Sequence, residues 1–205
     1  MTLYSYFHQG GILMWPILVA SILALTVSLE RLWSLRYTAL LPKALMDKIE
    51  VMVAKEEYTE GLALCVNNES PLARVLTIAL QNRGKARSII KELLEEAGRR
   101  EAAYLERLLP VLTVVIAISP LLGLMGTVLG MIELFQGLDL SGGGDMSPVA
   151  EGIAKALFTT FSGLSVAVPT LIVHRYLLSR VDHSLTVMED ISLRILEMVK
   201  APEVR

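Results

Sequence analysis

The sequence predicts an all-α, polytopic membrane protein with three transmembrane helices, the second and third extending into a cytoplasmic helical bundle. Three observations carry this expectation. The 205 residues are 53% hydrophobic but only 6% aromatic, with a mean hydropathy of +0.54, more apolar than a soluble domain of this length. Three stretches combine sufficient length with an absence of formal charge. The basic residues gather on one side: of 19 Lys and Arg, 13 lie between Arg31 and Arg107 and five from Arg175 to Arg205.

The first span lies in residues 11–33. No Lys, Arg, Asp or Glu occurs before Glu30, and Gly11 to Leu29 is long enough to cross a bilayer, which takes roughly 20 apolar residues. Pro16 falls inside it, which a membrane helix tolerates. A cleaved signal peptide is the competing reading, but it needs a basic segment ahead of the apolar one, and no base precedes Arg31. The second span covers 108–135, uncharged from Leu108 to Ile132. The third covers 151–178, uncharged from Ala156 to Val173. Lys155 and Arg175 bracket it about 30 Å apart along a helix axis, the thickness of the hydrocarbon core.

Orientation follows from the basic residues. Segment 34–107 and the tail 179–205 lie in the cytoplasm. The N-terminal residues 1–10 and the loop 136–150, with Asp139 and Asp145, lie outside. Lys155 is the single base outside the cytoplasmic zones.

Within 34–107, helices are predicted from near Pro42 to about Glu56, from Tyr58 to Val66, and from Ser70-Pro71 to near Asn82, each with start or stop residues at its ends. Ile89, Leu93, Leu94, Ala97, Tyr104, Leu105 and Leu108 recur at helical spacing, which predicts one long helix from about Ser88 to Phe135. In the tail, Val181, Leu185, Met188, Ile191, Ile195 and Met198 form one apolar stripe that continues the third span. The charges on the other faces read as solvated helix surface.

The third span sorts its residues by size. One arc of a helical wheel holds Gly152, Lys155, Ala156, Thr159, Thr160, Ser162, Gly163, Val166, Ala167 and Thr170. The opposite arc holds Leu157, Phe158, Phe161, Leu164, Ser165, Val168, Pro169, Leu171 and Ile172. In the second span Ser119, Pro120, Gly123, Gly126, Thr127 and Gly130 cluster on one side. Small residues four apart let helix backbones approach. Sorting of this kind serves close neighbours or a lumen. Thr127 lies about 9 Å below Glu133, and Thr160 about 7.5 Å below Lys155, so the two hydroxyls are expected at similar depth, where rings of them could pass an ion.

The uncharged span cores hold no Asp or Glu, although membrane proton relays use titratable groups. An ion-binding acid would therefore come from another chain. Lys155 has two readings, a structural pair with Glu133 or Glu151, or a direct part in an ion path. His174 beside Arg175 reads as an interfacial anchor, because no second metal ligand sits at suitable spacing. Cys65, the one cysteine, cannot form an internal disulfide and reads as a small buried residue. The net charge of −2 gives no reason to expect nucleic-acid binding. Ser/His/Asp and Cys/His sets, phosphate loops and paired intramembrane carboxylates are all missing from the sequence, so nothing supports an enzyme or a bound cofactor.

The stretch Ser119-Pro-Leu-Leu-Gly-Leu-Met-Gly-Thr-Val-Leu-Gly-Met-Ile132 resembles the second-span motif of the MotA/TolQ/ExbB proton-channel family. Gly152-Ile-Ala-Lys-Ala-Leu157, Thr159-Thr-Phe-Ser-Gly-Leu164 and Ala167-Val-Pro169 resemble its third-span motif. Gly10-Gly11 through Glu30-Arg31-Leu32 is similar to short ExbB-like members. The resemblance implies a multi-pass protein of the bacterial inner membrane, with a periplasmic N-terminus, a periplasmic loop at 136–150 and a cytoplasmic C-terminus. It implies a homopentamer around a lumen, lined by Thr127 and Thr160, that encloses an ExbD/TolR-like single-span dimer. That partner would supply the membrane Asp and pass H+ or Na+, and the motion would energise a TonB- or TolA-like protein. Well-known ExbB and TolQ members carry Glu where this chain has Lys155, which alters the electrostatics of that position. Three spans rather than four favour this work over flagellar rotation. The alternatives are a non-conducting membrane scaffold, or a stator-like unit for another motility or envelope process.

Overall fold

A computed structural model describes residues 10–140 and 147–199. Every regular element among them is helical. In chain order they are α1 (Met14–Ser34), α2 (Tyr37–Leu40), α3 (Lys43–Ala54), α4 (Tyr58–Val66), α5 (Pro71–Gln81), α6 (Arg87–Glu106), α7 (Leu109–Leu140) and α8 (Ser147–Met198). Three of them, α1, α7 and the long α8, are long and apolar enough to cross a membrane. The chain falls into two compact units, Met1–Glu30 with Leu108–Tyr176, and Arg31–Arg107 with Leu177–Arg205.

The first unit holds α1, α7 and the first part of α8. Most of its large apolar side chains are exposed, among them Leu25 on α1, Leu121, Leu124 and Phe135 on α7, and Leu157, Phe161 and Ile172 on α8. Water would not tolerate such a surface; a bilayer or neighbouring apolar helices would. Beside larger buried residues such as Ile17, Leu112 and Leu134, many of the buried positions are small or hydroxylated. They include Ala24, Ser119, Ala156, Thr159, Ala167 and Thr170.

Prolines lie inside both helices, Pro120 in α7 and Pro169 in α8. Each lacks an N–H and so removes one rung of the helical ladder, to the carbonyl four residues back. Ser119 faces Gly163 across the pair. The interrupted stretches 116–120 and 165–169 therefore overlap in height.

The second unit is built from short helices with identifiable ends. The Ser70 hydroxyl accepts from the Ala73 N–H at 3.3 Å, and Pro71 occupies the first turn of α5, where a missing N–H costs nothing. The Asn68 side chain in turn accepts from the Ser70 N–H at 2.9 Å. Positive φ at Gly84 closes the α5–α6 connection. The core joins Val75, Ala79, Ile90, Leu94, Ala97 and Leu196, with Ile78 and Leu193 against it. Arg74 reaches both Glu101 oxygens, at 2.7 and 2.5 Å, and lies over the Tyr104 ring at 5.5 Å. The Glu101 partner raises the Arg74 guanidinium pKa further. Arg31, buried at 5% exposure, donates to the Leu105 carbonyl at 3.4 Å.

Several sequence expectations change here. The helix expected from Ser88 to Phe135 is two, α6 and α7, separated at residues 107–108. Pro110 is the physical reason: it cannot donate to the carbonyl of Glu106, and it sits in the first turn of α7, where it is tolerated. The loop expected over 136–150 is shorter, since α7 runs to Leu140 and α8 starts at Ser147; Asp145 lies outside the described residues, as does the side chain of Asp139. Ile90 rather than Ile89 faces the core. In the tail stripe Met198 is exposed at 43% and Val199 is buried. Cys65 is buried as expected, and burial pushes its thiol up to about 11.

Candidate functional site

The residues singled out in the second and third spans meet along a seam between α7 and α8. The seam forms because four positions on α7, at roughly one-turn intervals, present little or no side chain. Gly123, Gly126 and Gly130 face Thr159–Thr160, Thr159 and Gly152–Ala156 respectively, while Ser119 faces Gly163. A Cβ on Gly123 would lie 3.0 Å from the Thr160 Cα, and one on Gly130 would lie 3.0 Å from the Gly152 carbonyl. A Cβ on Gly126 would run into the Thr159 side chain, and one on Gly163 into the Ser119 carbonyl. The small-xxx-small pattern thus brings two helices of one chain into backbone contact.

The hydroxyls take distinct roles on this seam. Thr160 crosses it and donates to the Gly123 carbonyl at 3.3 Å. Thr159, fully buried, donates to the Lys155 carbonyl of its own helix at 2.6 Å and points also at the Gly10 carbonyl at 3.3 Å. Thr127 is half-buried and donates to the Leu124 carbonyl at 2.7 Å; Ser162 does the same to Phe158 at 2.8 Å. Neither bonds across the seam. Ser119 is fully buried, and its hydroxyl has no hydrogen-bond partner. Ser119 entered the sequence reading as one member of a small-residue cluster, and its lone hydroxyl has no sequence signal.

Thr160 and Thr127 use neighbouring carbonyls of α7: Thr160 donates to that of Gly123 at 3.3 Å and Thr127 to that of Leu124 at 2.7 Å. Those two carbonyls are about 1.5 Å apart along the helix axis, which keeps the two hydroxyls close in height.

At the Gly130–Gly152 end of the seam, Lys155 Nζ pairs with Glu133 Oε2 at 2.5 Å. Of the two acids weighed from sequence, Glu133 is the partner; Glu151 is exposed. Lys155 also lies against the turn that precedes α1. Gly11 has φ +70°, and a Cβ there would lie 2.5 Å from Lys155 Cε. The adjacent Gly10-Gly11 pair was the available signal for this turn. Towards the other end, the His174 ring Nε2 stands 3.2 Å from the Thr113 hydroxyl, a contact that the anchor reading missed. Of the two prolines, Pro120 is half-buried and Pro169 is exposed on the outer face of α8. The size sorting expected for α8 holds: Leu157, Phe161, Leu164, Val168, Leu171 and Ile172 are all exposed.

A three-span helical membrane protein with a close-packed, hydroxyl-bearing seam is the class that this geometry defines. The chain belongs to the MotA/TolQ/ExbB proton channel family, whose model matches residues 67–190. It is 34% identical to the ExbB-like 1 protein of Synechocystis, across 86% of this chain and 71% of that protein. It is 30% identical to the biopolymer transport protein exbB1 of Vibrio cholerae, across 80% and 74% respectively. A shorter match, 38% identical across 42% of this chain and 38% of the relative, is to the Tol-Pal system protein TolQ of Haemophilus influenzae.

Proposed function

We propose that this chain is the channel-forming subunit of an ExbB/TolQ-like motor in the bacterial inner membrane, driven by an ion gradient. Membership in a proton-channel family supports the class. The observation that carries the reading in this chain is the seam itself. Thr159 and Thr160 bring hydroxyls to a close-packed interface in span cores without a carboxylate. Hydroxyls can relay an ion but do not titrate in the physiological range. The titratable acid therefore comes from a partner, an ExbD/TolR-like protein with one span per chain and an Asp in that span.

In this reading five copies surround the partner's spans, and α7 and α8 turn the half-buried Thr127, Thr160 and Ser162 towards them. The N-terminus is periplasmic and the C-terminus cytoplasmic. H+ or Na+ passing between Thr160 and the partner Asp moves the partner, and that motion energises a TonB- or TolA-like protein spanning the periplasm. Nothing in this cycle calls for a bond-making residue or a cofactor.

Reconstitution of the chain with its co-purifying single-span partner tests the reading. The complex is expected to carry ions down an imposed gradient, and Thr160→Val is expected to abolish the flux. A passive scaffold would keep its cellular function with Val at 160. A partner without a membrane acid, together with absent flux, would overturn the proposal.

A further inference from the structure

Lys155 does more than balance one acid. Its ammonium meets Glu133 on α7 at 2.5 Å, while its aliphatic stem lies over Gly11. The next turn of α8 contributes Thr159, whose buried hydroxyl faces both the Lys155 and the Gly10 carbonyls. Gly10 is buried and Gly11 takes a left-handed φ of +70°. Such a turn approaches another backbone most closely when it carries no side chain. Three segments of the chain therefore converge on one residue: the turn before α1, the outer part of α7 and the outer part of α8.

From this convergence we infer that Lys155 is a positioning residue, which clasps the Gly10–Gly11 turn to Glu133 over the outer end of the α7–α8 seam and so controls ion access to the threonines below. This rests on the channel reading above. In this chain, residue 155 governs the mouth and does not exchange the ion. The side chain is 25% exposed, against 56% for Glu133. The Lys155 side chain is the more enclosed member, its stem held over Gly11, so loss of Glu133 removes the contact that fixes the ammonium to α7. Placing Glu at 155 sets two carboxylates where a pair now stands, which repels the two helix ends from each other.

Two measurements on the full-length protein in vesicles test this. The first places a cysteine at Met14, whose N–H donates to the Gly11 carbonyl and whose side chain is 8% exposed. Its reaction with a membrane-impermeant maleimide is then followed. Lys155→Gln and Glu133→Gln are each expected to raise the labelling rate several-fold. Lys155→Glu is expected to raise it most, and the exchanged double variant Glu133→Lys/Lys155→Glu to return it to the parent rate. If the single changes leave labelling unmoved, or if the double variant labels as fast as Lys155→Glu, the clasp is overturned.

The second measurement is ion flux through the same variants co-reconstituted with the partner. The double variant is expected to match the parent. A double variant that restores labelling yet conducts like Lys155→Glu alone would place residue 155 in the ion path and overturn the inference. A parent complex that carries no ions overturns the channel reading instead, and labelling still decides the clasp by itself.

Discussion

Thr160 gives its hydroxyl proton to the carbonyl of Gly123, at the level where a methyl group on residue 123 would come within 3.0 Å of the Thr160 Cα. The bond and the missing side chain depend on each other. A larger residue at 123 separates the helices, and separated helices cannot form the bond.

Gly123→Ala and Gly163→Ala are therefore expected to destabilise the seam by about 1–3 kcal/mol each, the usual cost of overpacking a filled interior. Gly163→Ala is the more severe, because its methyl meets the Ser119 carbonyl, a backbone atom that cannot turn aside. Denaturant titration in mixed micelles, followed by circular dichroism, measures both. A Gly163→Ala protein as stable as the parent would contradict the backbone contact.

Thr160 and Thr127 separate under the same conservative change. Thr160→Val removes a bond between helices, worth about 0.6 kcal/mol in membrane proteins, whereas Thr127→Val removes only a bond within α7. Thr160→Ser keeps the bond. Unfolding titrations are expected to rank Thr160→Val below Thr127→Val, with Thr160→Ser near the parent. Flux through the reconstituted complex is expected to survive Thr160→Ser and to fall to the background of empty vesicles with Thr160→Val.

Ser119 behaves in the opposite sense. Its hydroxyl is buried without a partner, and such a group costs about 1–3 kcal/mol of desolvation. Ser119→Ala is expected to leave the fold unharmed and to raise the unfolding midpoint. A clear loss of stability would show that the hydroxyl has a partner in the assembled protein.

Cys65 supplies a pH test away from the membrane. Burial raises its thiol from 9.0 to about 11, so the native state holds its proton through a range in which the unfolded thiol has lost it. Stability from this site is intact below pH 9 and declines as pH climbs towards 11. Maleimide labelling at neutral pH is expected to be slow in the native protein and fast in denaturant. Cys65→Ala is expected to flatten this part of the stability–pH curve.

Much of this could be read from residue order. The uncharged runs gave the three spans, because a bilayer imposes length and polarity with few alternatives. Ser70-Pro71 and Tyr58–Val66 announced their helices through local chemistry that tertiary contacts left unchanged. The size sorting of the third span foretold its buried face. Geometry between helices was harder to read. The apolar spacing runs straight through Pro110, so periodicity alone does not show the break between α6 and α7. The pairing of Gly123 with Thr160 and of Ser119 with Gly163 depends on how two helices slide past each other, and sequence spacing along either one is silent on that. The burial of Arg31 against Leu105 follows from a contact 74 residues away, which local sequence does not encode.

The two prolines have a mechanical consequence. Because the missing rungs at 116–120 and 165–169 overlap in height, paired rods that are stiff elsewhere have neighbouring bands of greater compliance. A load on one end of the pair is resisted least around that zone, which both helices contribute to. Tethering that zone, rather than either end, is what would stall such flexing.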